Sequence, residues 1–426
     1  HNASINKSWQ QEGQNPWQRL MGGDGMYIEI DNRNSNIVYT GYQFGNYFRI
    51  NRDTKERKYI QPKHKLGENP YRFNWQTPIL LSPHNQDILY LGSNKLMRSM
   101  NQGDDWAAIS ADLTNGGKKG NVAYGTLTTI SESPFQFGLI YTGSDDGLIH
   151  VTKNAGGSWD NISSTLPKDL WVSRVIASQH KKERVYVTLN GYRWDDFSVY
   201  VFRSNDYGNT WKNISSNIPL SPVNVIKEDP KNENMLYLGT DNGAYVSFNN
   251  GVQWEAFNKG LPSVAVHDIV IQSKTNDLIL GTHGRSIYKT NIAHLQKMNA
   301  TKMNQPLVLF NVEDVEHSKR WGNKFNVWTT VSEPTIPIKF YSDKTGDQTI
   351  KIVSENNSKL KQIQVKADKG FHTIEYDLSI PKEAQKKLMK ADTTLKIDKA
   401  DNGKYYLPKG EYTIQIGSEK TIFQIK

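Results

Sequence analysis

Five aspartates carry the chemistry that is most demanding on position. Asp24, Asp145 and Asp146 lie in Gly-rich stretches, and Asp195 and Asp196 in the aromatic stretch Tyr192–Phe197. Two carboxyl groups held about 5–10 Å apart can cleave a glycosidic bond, one as acid and the other as base or nucleophile. Spacing along the chain selects no pair among the five, because the partners would come from different parts of the fold. No catalytic residue is assigned for that reason. A second set has the types that grip a ligand without reacting: Arg72, Trp75, Trp171, Arg174, Tyr192, Arg193, Trp194, Asp195, Asp196, Asp241, His283 and Arg285. Such a mixture can hydrogen-bond and stack on a sugar, or hold a peptide.

The elements that position these residues are announced by a repeat. Ser99-Met-Asn101-Gln-Gly103-Asp-Asp-Trp106, Thr152-Lys-Asn154-Ala-Gly156-Gly-Ser-Trp159, Ser204-Asn-Asp206-Tyr-Gly208-Asn-Thr-Trp211 and Ser247-Phe-Asn249-Asn-Gly251-Val-Gln-Trp254 share one spelling, at intervals of roughly fifty residues. Asp or Asn can bond its own backbone two residues on, Gly supplies a positive φ, and Trp buries a ring while its N–H finds a partner. Each segment reads as a hairpin tip.

A second phrase precedes each tip: a turn with Asp or Ser, Pro and Asn, then a short strand ending in Tyr-x-Gly. Ser82-Pro-His-Asn leading to Tyr90-Leu-Gly92 and Asp229-Pro-Lys-Asn leading to Tyr237-Leu-Gly239 are examples. Six repeats span residues 22 to 297, with Trp9 and Trp17 ahead of them as outer strands of a partial blade. The expected fold is all-β: a β-propeller of about seven blades over 1–297, a linker at 298–303, and a small immunoglobulin-like β-sandwich over 304–426. Within the sandwich, β-runs are expected at Phe325-Asn-Val-Trp, Ile336 onward, Thr349 onward and Tyr412 onward, with one helix over 381–391 opened by Pro381.

The four tips are similar to the Asp-box, or BNR repeat, of sialidases, sortilin-type receptors and tandem-propeller glycoside hydrolases. With Gly22-Gly-Asp-Gly25, Arg72-Phe-Asn-Trp75, Gly143-Ser-Asp-Asp-Gly147 and Gly281-Thr-His-Gly-Arg-Ser286, the chain resembles bacterial sortilin-like BNR proteins. Many of these are exported by Bacteroidota and are often labelled glycosyl hydrolases. The resemblance implies that the tips join the third and fourth strands of a blade, and that this chain is the C-terminal half of a tandem-propeller protein. The sialidase Arg-Ile-Pro phrase is absent. Gly370-Phe-His-Thr-Ile-Glu-Tyr, with Gly403-Lys-Tyr-Tyr-Leu-Pro-Lys-Gly-Glu-Tyr412, resembles the immunoglobulin-like domain of flagellar hook-capping proteins, and a C-terminal sorting domain of the type IX secretion pathway is the alternative resemblance.

If the tips join strands three and four, they share a face with the Pro-Asn turns. The opposite face then carries the loops between strands two and three and the blade-to-blade crossings, where all the ligand-gripping residues named above fall. The Tyr192-Arg-Trp-Asp-Asp-Phe197 loop is longer and more aromatic than its counterparts, which makes it the leading binding element.

Composition removes other classes. There is no Cys, so neither a disulfide nor a thiolate metal site exists. The ten His show no metal-ligand spacing, and no nucleophile elbow, phosphate loop or calcium loop is spelled. No cofactor and no metal are expected. A net charge of +9 is spread over scattered Lys residues, which argues against nucleic acid. No apolar run approaches the roughly 18 residues of a membrane span. The polar start at His1 reads as a mature or internal piece of an exported precursor. The expectation is an exported, surface-associated binding or scaffold propeller with a protein or glycan partner, with a polysaccharide hydrolase as the alternative.

Overall fold

A computed structural model describes residues 3–5, 17–119, 123–324, 326, 328 and 330–426. The chain divides into two units, His1–Gln296 and Lys297–Lys426.

In the first unit, six antiparallel sheets follow one another along the chain. Blade five shows the plan. Val223–Glu228, Leu236–Thr240, Gly243–Ser247 and Glu255–Ala256 pair in that order as a meander. Blades one to four have the same four strands. Blade six has three: Val266–Gln272, Asp277–Thr282 and Ile287–Asn291. Successive first strands pack against one another, and the unit is a β-propeller. A separate hairpin, Ala3–Ile5 with Trp17–Arg19, precedes blade one. Trp9 lies outside the described residues.

The four Trp turns connect third to fourth strands, and their construction repeats. The leading hydroxyl accepts from the Gly N–H at 2.8–3.0 Å in all four. The Asn or Asp Oδ1 accepts from the backbone N–H four residues on, at 2.9 Å each time. Asn serves as well as Asp because only an acceptor is needed. The residue before each Gly is also left-handed: Gln102, Ala155, Tyr207 and Asn250 have φ of 57–62°.

These turns are blade-to-blade latches rather than plugs within a blade. Trp106, Trp159, Trp211 and Trp254 donate Nε1–H to the carbonyls of Ile60, Ile109, Ile162 and Ile214, just past the outer strand of the preceding blade, at 2.6–2.9 Å. The Gly faces the same isoleucine, so a Cβ on Gly251 would lie 2.7 Å from Ile214.

The Tyr-x-Gly tyrosines form the next layer inward. Tyr39, Tyr90, Tyr141, Tyr186 and Tyr237 are all buried. Tyr90 donates to Glu132 and Tyr186 to Glu228, both at 3.1 Å, so each bond crosses to the following blade.

The first strands carry a bulge at one place. The register slips at Thr128, Ser173, Asn224 and His267 in blades three to six. A bulge re-aims one side chain. In blades five and six that residue lies on the face opposite the latches.

The second unit is a two-sheet sandwich. Leu307–Leu309, Ile336–Ser342 and Gly370–Tyr376 form one sheet. Lys359–Ala367, Gly346–Ser354, Gly410–Ile416 and Glu419–Ile425 form the other, in that order. Ile338, Phe340, Ile352, Ile414 and Phe423 fill the space between them. The helix runs Lys382–Ala391, with Pro381 one position earlier than expected, as N-cap in an extended conformation. The expected linker 298–303 contains a helical turn, Ala300–Met303, capped by the Asn299 side chain at Lys302 N–H. Phe325 and Val327 of the expected run at 325–328 lie outside the described residues.

Candidate functional site

On the face opposite the latches, blades four, five and six enclose a cleft of about 540 Å³. Its lining is Asn190, Tyr192, Arg193, Asn224, Asp241, Ala265, His267 and His283. The set combines loops between strands two and three (Tyr192, Arg193, Asp241, His283) with the two bulged first-strand residues, Asn224 and His267. Four expected binding residues therefore meet in one place.

Each is positioned by identifiable local chemistry. Asn190 Oδ1 accepts from Tyr192 N–H at 3.0 Å and starts a 3-10 turn over Tyr192–Trp194. Asp195 closes that turn in a left-handed conformation, φ 56°. The Arg193 guanidinium stacks over Trp171 at 3.9 Å, so Trp171 supports the cleft wall. Trp194 donates Nε1–H to Asp169 O at 3.0 Å and keeps its ring exposed, beside exposed Tyr192 and Phe197. Asn224 donates to Asp241 Oδ1 at 2.8 Å, linking bulge to loop. The rings of His267 and His283 are 5.5 Å apart. Burial holds His267 below the ordinary imidazole range, Asp241 opposes this, and His283 adds to it. A neutral His267 offers one donor and one acceptor.

The other expected residues go elsewhere. Asp145 is buried, bonded to Thr126 N–H and Oγ1 at 2.9 and 2.6 Å, and burial raises its pKa. Buried Asp146 accepts from Ser144 Oγ and Asn115 N–H. Asp196 caps its own loop at Ser198 N–H and Tyr200 Oη. Asp24 is bonded to Gln43. These four carboxylates are turn and crossing fixtures, and Asp195 alone of the five has a free, exposed carboxylate among the described residues. Arg72 is a crossing clamp too, bonded to Asp112, Thr114 and Gly125 O. Trp75 packs edge-on to Phe44, away from the cleft lining. Arg285 is exposed on the blade-six loop.

Arg174 belongs to the centre of the ring. It pairs with Asp268 of blade six at 2.9 Å and stacks over Tyr27, 5.5 Å away. Glu29 and Lys227 join this group, and burial pushes Glu29 up to about 8. Glu29 keeps its proton in the folded chain where an unfolded Glu has lost it. Its contribution to stability is complete below about pH 4.5 and is lost as pH rises through about 8. Glu29→Gln is expected to flatten the fall in stability across that window in denaturant titrations at stepped pH. An unchanged slope would remove Glu29 as its source.

Asn224 escaped the sequence reading, because it sits inside a strand that spells as ordinary alternation, whereas His267, with Asp268, falls among the blade-to-blade crossings expected on this face. The slip in register that turns Asn224 and His267 outward has no local signature. Among the described residues no group of three His, Cys, Asp or Glu side chains is set to hold a metal.

No protein-family model matches the chain. A xyloglucanase of Paenibacillus sp is 24% identical over 171 residues, 34% of this chain. The chain spans 17% of that enzyme's length. Among solved structures, the GH74 xyloglucanase of Xanthomonas campestris aligns with TM-score 0.46 and 14% identity, over 68% of this chain and 56% of that one. The GH74 enzyme of Niastella koreensis gives 0.48 and 14%, over 93% and 65%. YCF48 bound to D1 peptide gives 0.45 and 12%, over 68% and 86%.

Proposed function

We propose that the chain is a binding propeller for a glycan, taken up in the cleft of blades four to six, and that it works exported at the cell surface or envelope. The supporting observation is the composition of that cleft. Amide, carboxylate and imidazole edges line it, and one loop raises three exposed aromatic rings, Tyr192, Trp194 and Phe197, beside it. Sugar rings present hydroxyls at their edges and C–H groups on their faces, which matches that arrangement. Binding is favoured over hydrolysis because four of the five candidate carboxylates are already engaged by turns or neighbouring side chains.

A polysaccharide hydrolase is the second reading, favoured by the partial match to a xyloglucanase. It would need Asp195 joined by a further carboxylate. For the C-terminal unit we propose an immunoglobulin-like relationship. Of its seven sandwich strands, the first, second and fifth form one sheet and the other four the second, an order close to that fold, while Ser379–Ile380 and Tyr405–Tyr406 pair apart from both.

A panel of xyloglucan, xylan, cellulose and chitin oligosaccharides, assayed for binding and for new reducing ends, separates the readings. Binding without reducing ends supports the proposal. Turnover abolished by Asp195→Asn replaces it with the hydrolase, and no glycan binding at all replaces it with a protein ligand. Trp194→Ala is expected to weaken glycan binding by about tenfold, roughly 1.4 kcal/mol, with the melting temperature little changed.

A further inference from the structure

In blade one, the loop between strands two and three puts an aromatic residue where its counterparts put glycine. Blades three and six make the left-handed step of that loop at Gly147 and Gly284. Blade one makes it at Phe44, φ 59°, with Gly45 following in the same region. A bulky side chain in that conformation strains the backbone and persists only where the surroundings hold it. Both polar groups of Phe44 are held. Its N–H donates to Trp75 O at 3.2 Å, and its carbonyl accepts from Gln61 Nε2 at 2.7 Å. The strain does not serve the core, because the Phe44 ring is 42% exposed.

Trp75 is set beside that ring by equally specific contacts. It stands on the crossing from blade one to blade two. There buried Asn74 accepts from Gln76 N–H at its side chain, 3.1 Å, and from the Thr77 hydroxyl at its carbonyl, 2.8 Å. Asn74 is itself anchored to Thr126 Oγ1 at 2.8 Å. The Trp75 ring meets Phe44 edge to face, with centroids 5.2 Å apart, and is 50% exposed.

The four latch tryptophans all donate Nε1–H to a carbonyl. Among the described residues, Trp75 Nε1–H and the Gln76 side-chain amide have no hydrogen-bond partner. Nor does a cation stack on Phe44 or Trp75 among those residues, whereas Arg193 stacks on Trp171 and Lys118 on Tyr124. Two open ring faces beside a free indole N–H and a free amide suit the C–H faces and hydroxyls of an uncharged sugar. A loop between strands two and three and a blade crossing both lie opposite the latches, so the pair shares its face with the cleft. The pair belongs to blades one and two and the cleft to blades four to six, so the two are separate places.

We infer that Phe44 and Trp75 form a second platform, for an uncharged sugar, and that this face is built for a glycan polymer long enough to engage platform and cleft together. The inference rests on the glycan reading of the cleft. A chain held at two points binds more tightly than one held at a single point, because the second contact is made within the complex.

The probes are xyloglucan polymer and its single-repeat oligosaccharide, titrated by calorimetry into the whole wild-type chain, Trp75→Ala, Phe44→Gly and Asn224→Ala. Wild type is expected to bind the polymer about tenfold more tightly per site than the single repeat. Trp75→Ala and Phe44→Gly should remove that advantage and leave single-repeat affinity unchanged, while Asn224→Ala should weaken both probes. Glycine takes the left-handed conformation without strain, so Phe44→Gly should keep or raise the melting temperature while it loses the polymer advantage. Polymer affinity retained in Trp75→Ala and Phe44→Gly overturns the inference alone and leaves the cleft reading standing. Wild type that binds neither probe overturns both.

Discussion

Trp254→Ala will destabilise the propeller by about 3–5 kcal/mol, the largest loss expected from any of the four latch tryptophans. Trp254 is buried, whereas Trp106, Trp159 and Trp211 are partly exposed. Truncation removes a ring packed with Ile214, Ile218 and Val223 and leaves a void. It also removes the 2.6 Å bond to Ile214 O, leaving a blade-four carbonyl unpaired. Because the ring holds blade five to blade four, the loss should appear as one cooperative shift of the denaturant midpoint rather than fraying of one hairpin. Trp159→Ala measured alongside should cost distinctly less. Equal costs at the two sites would mean that the latches act by the hydrogen bond alone and that ring burial adds nothing.

Glu228→Ala is the second large effect, again about 3–5 kcal/mol. The Glu228 carboxylate is 1% exposed and accepts from Ser178 Oγ, Gln179 N–H and Tyr186 Oη, all from blade four. Arg184 approaches it at 3.8 Å. Alanine leaves these donors without their acceptor and the buried Arg184 guanidinium without its counter-charge. Tyr186→Phe removes one of the donors to Glu228 and leaves the carboxylate in place, so about 1 kcal/mol is expected from it. Thermal melts of the two variants should therefore separate clearly. A mild Glu228→Ala phenotype would show that water takes over the acceptor role.

Much of the scaffold could be read from the chain, because its devices are local. A Ser or Thr, an Asn or Asp, a Gly and a Trp in fixed spacing specify a turn, and the Tyr-x-Gly strand fixes blade phase. What could not be read were the long-range halves of the same devices. Nothing near Trp254 points to Ile214 O, and nothing near Tyr186 points to Glu228. The left-handed residue before each Gly is Gln, Ala, Tyr or Asn, so no residue type marks it. The sequence could select no pair among the five aspartates, for a physical reason. Asp145 and Asp146 follow a strand in a tight turn, where a carboxylate satisfies backbone donors whether or not it meets a ligand. The Tyr192–Phe197 loop stood out because it broke the repeat, and it forms a cleft wall. Asn224 could not stand out, since a bulge exists only once two strands are paired.

We propose that ligand is held on the face opposite the latches, in the cleft of blades four to six. Calorimetric titration of a xyloglucan oligosaccharide into the wild-type chain, Asn224→Ala and Asp206→Ala tests it most directly. Asn224 links the blade-five bulge to Asp241 in the cleft, and Asp206 sits in a latch turn. The expected result is affinity reduced by about tenfold in Asn224→Ala and unchanged in Asp206→Ala. Unchanged affinity in Asn224→Ala with loss in Asp206→Ala would place the ligand on the latch face and contradict the account.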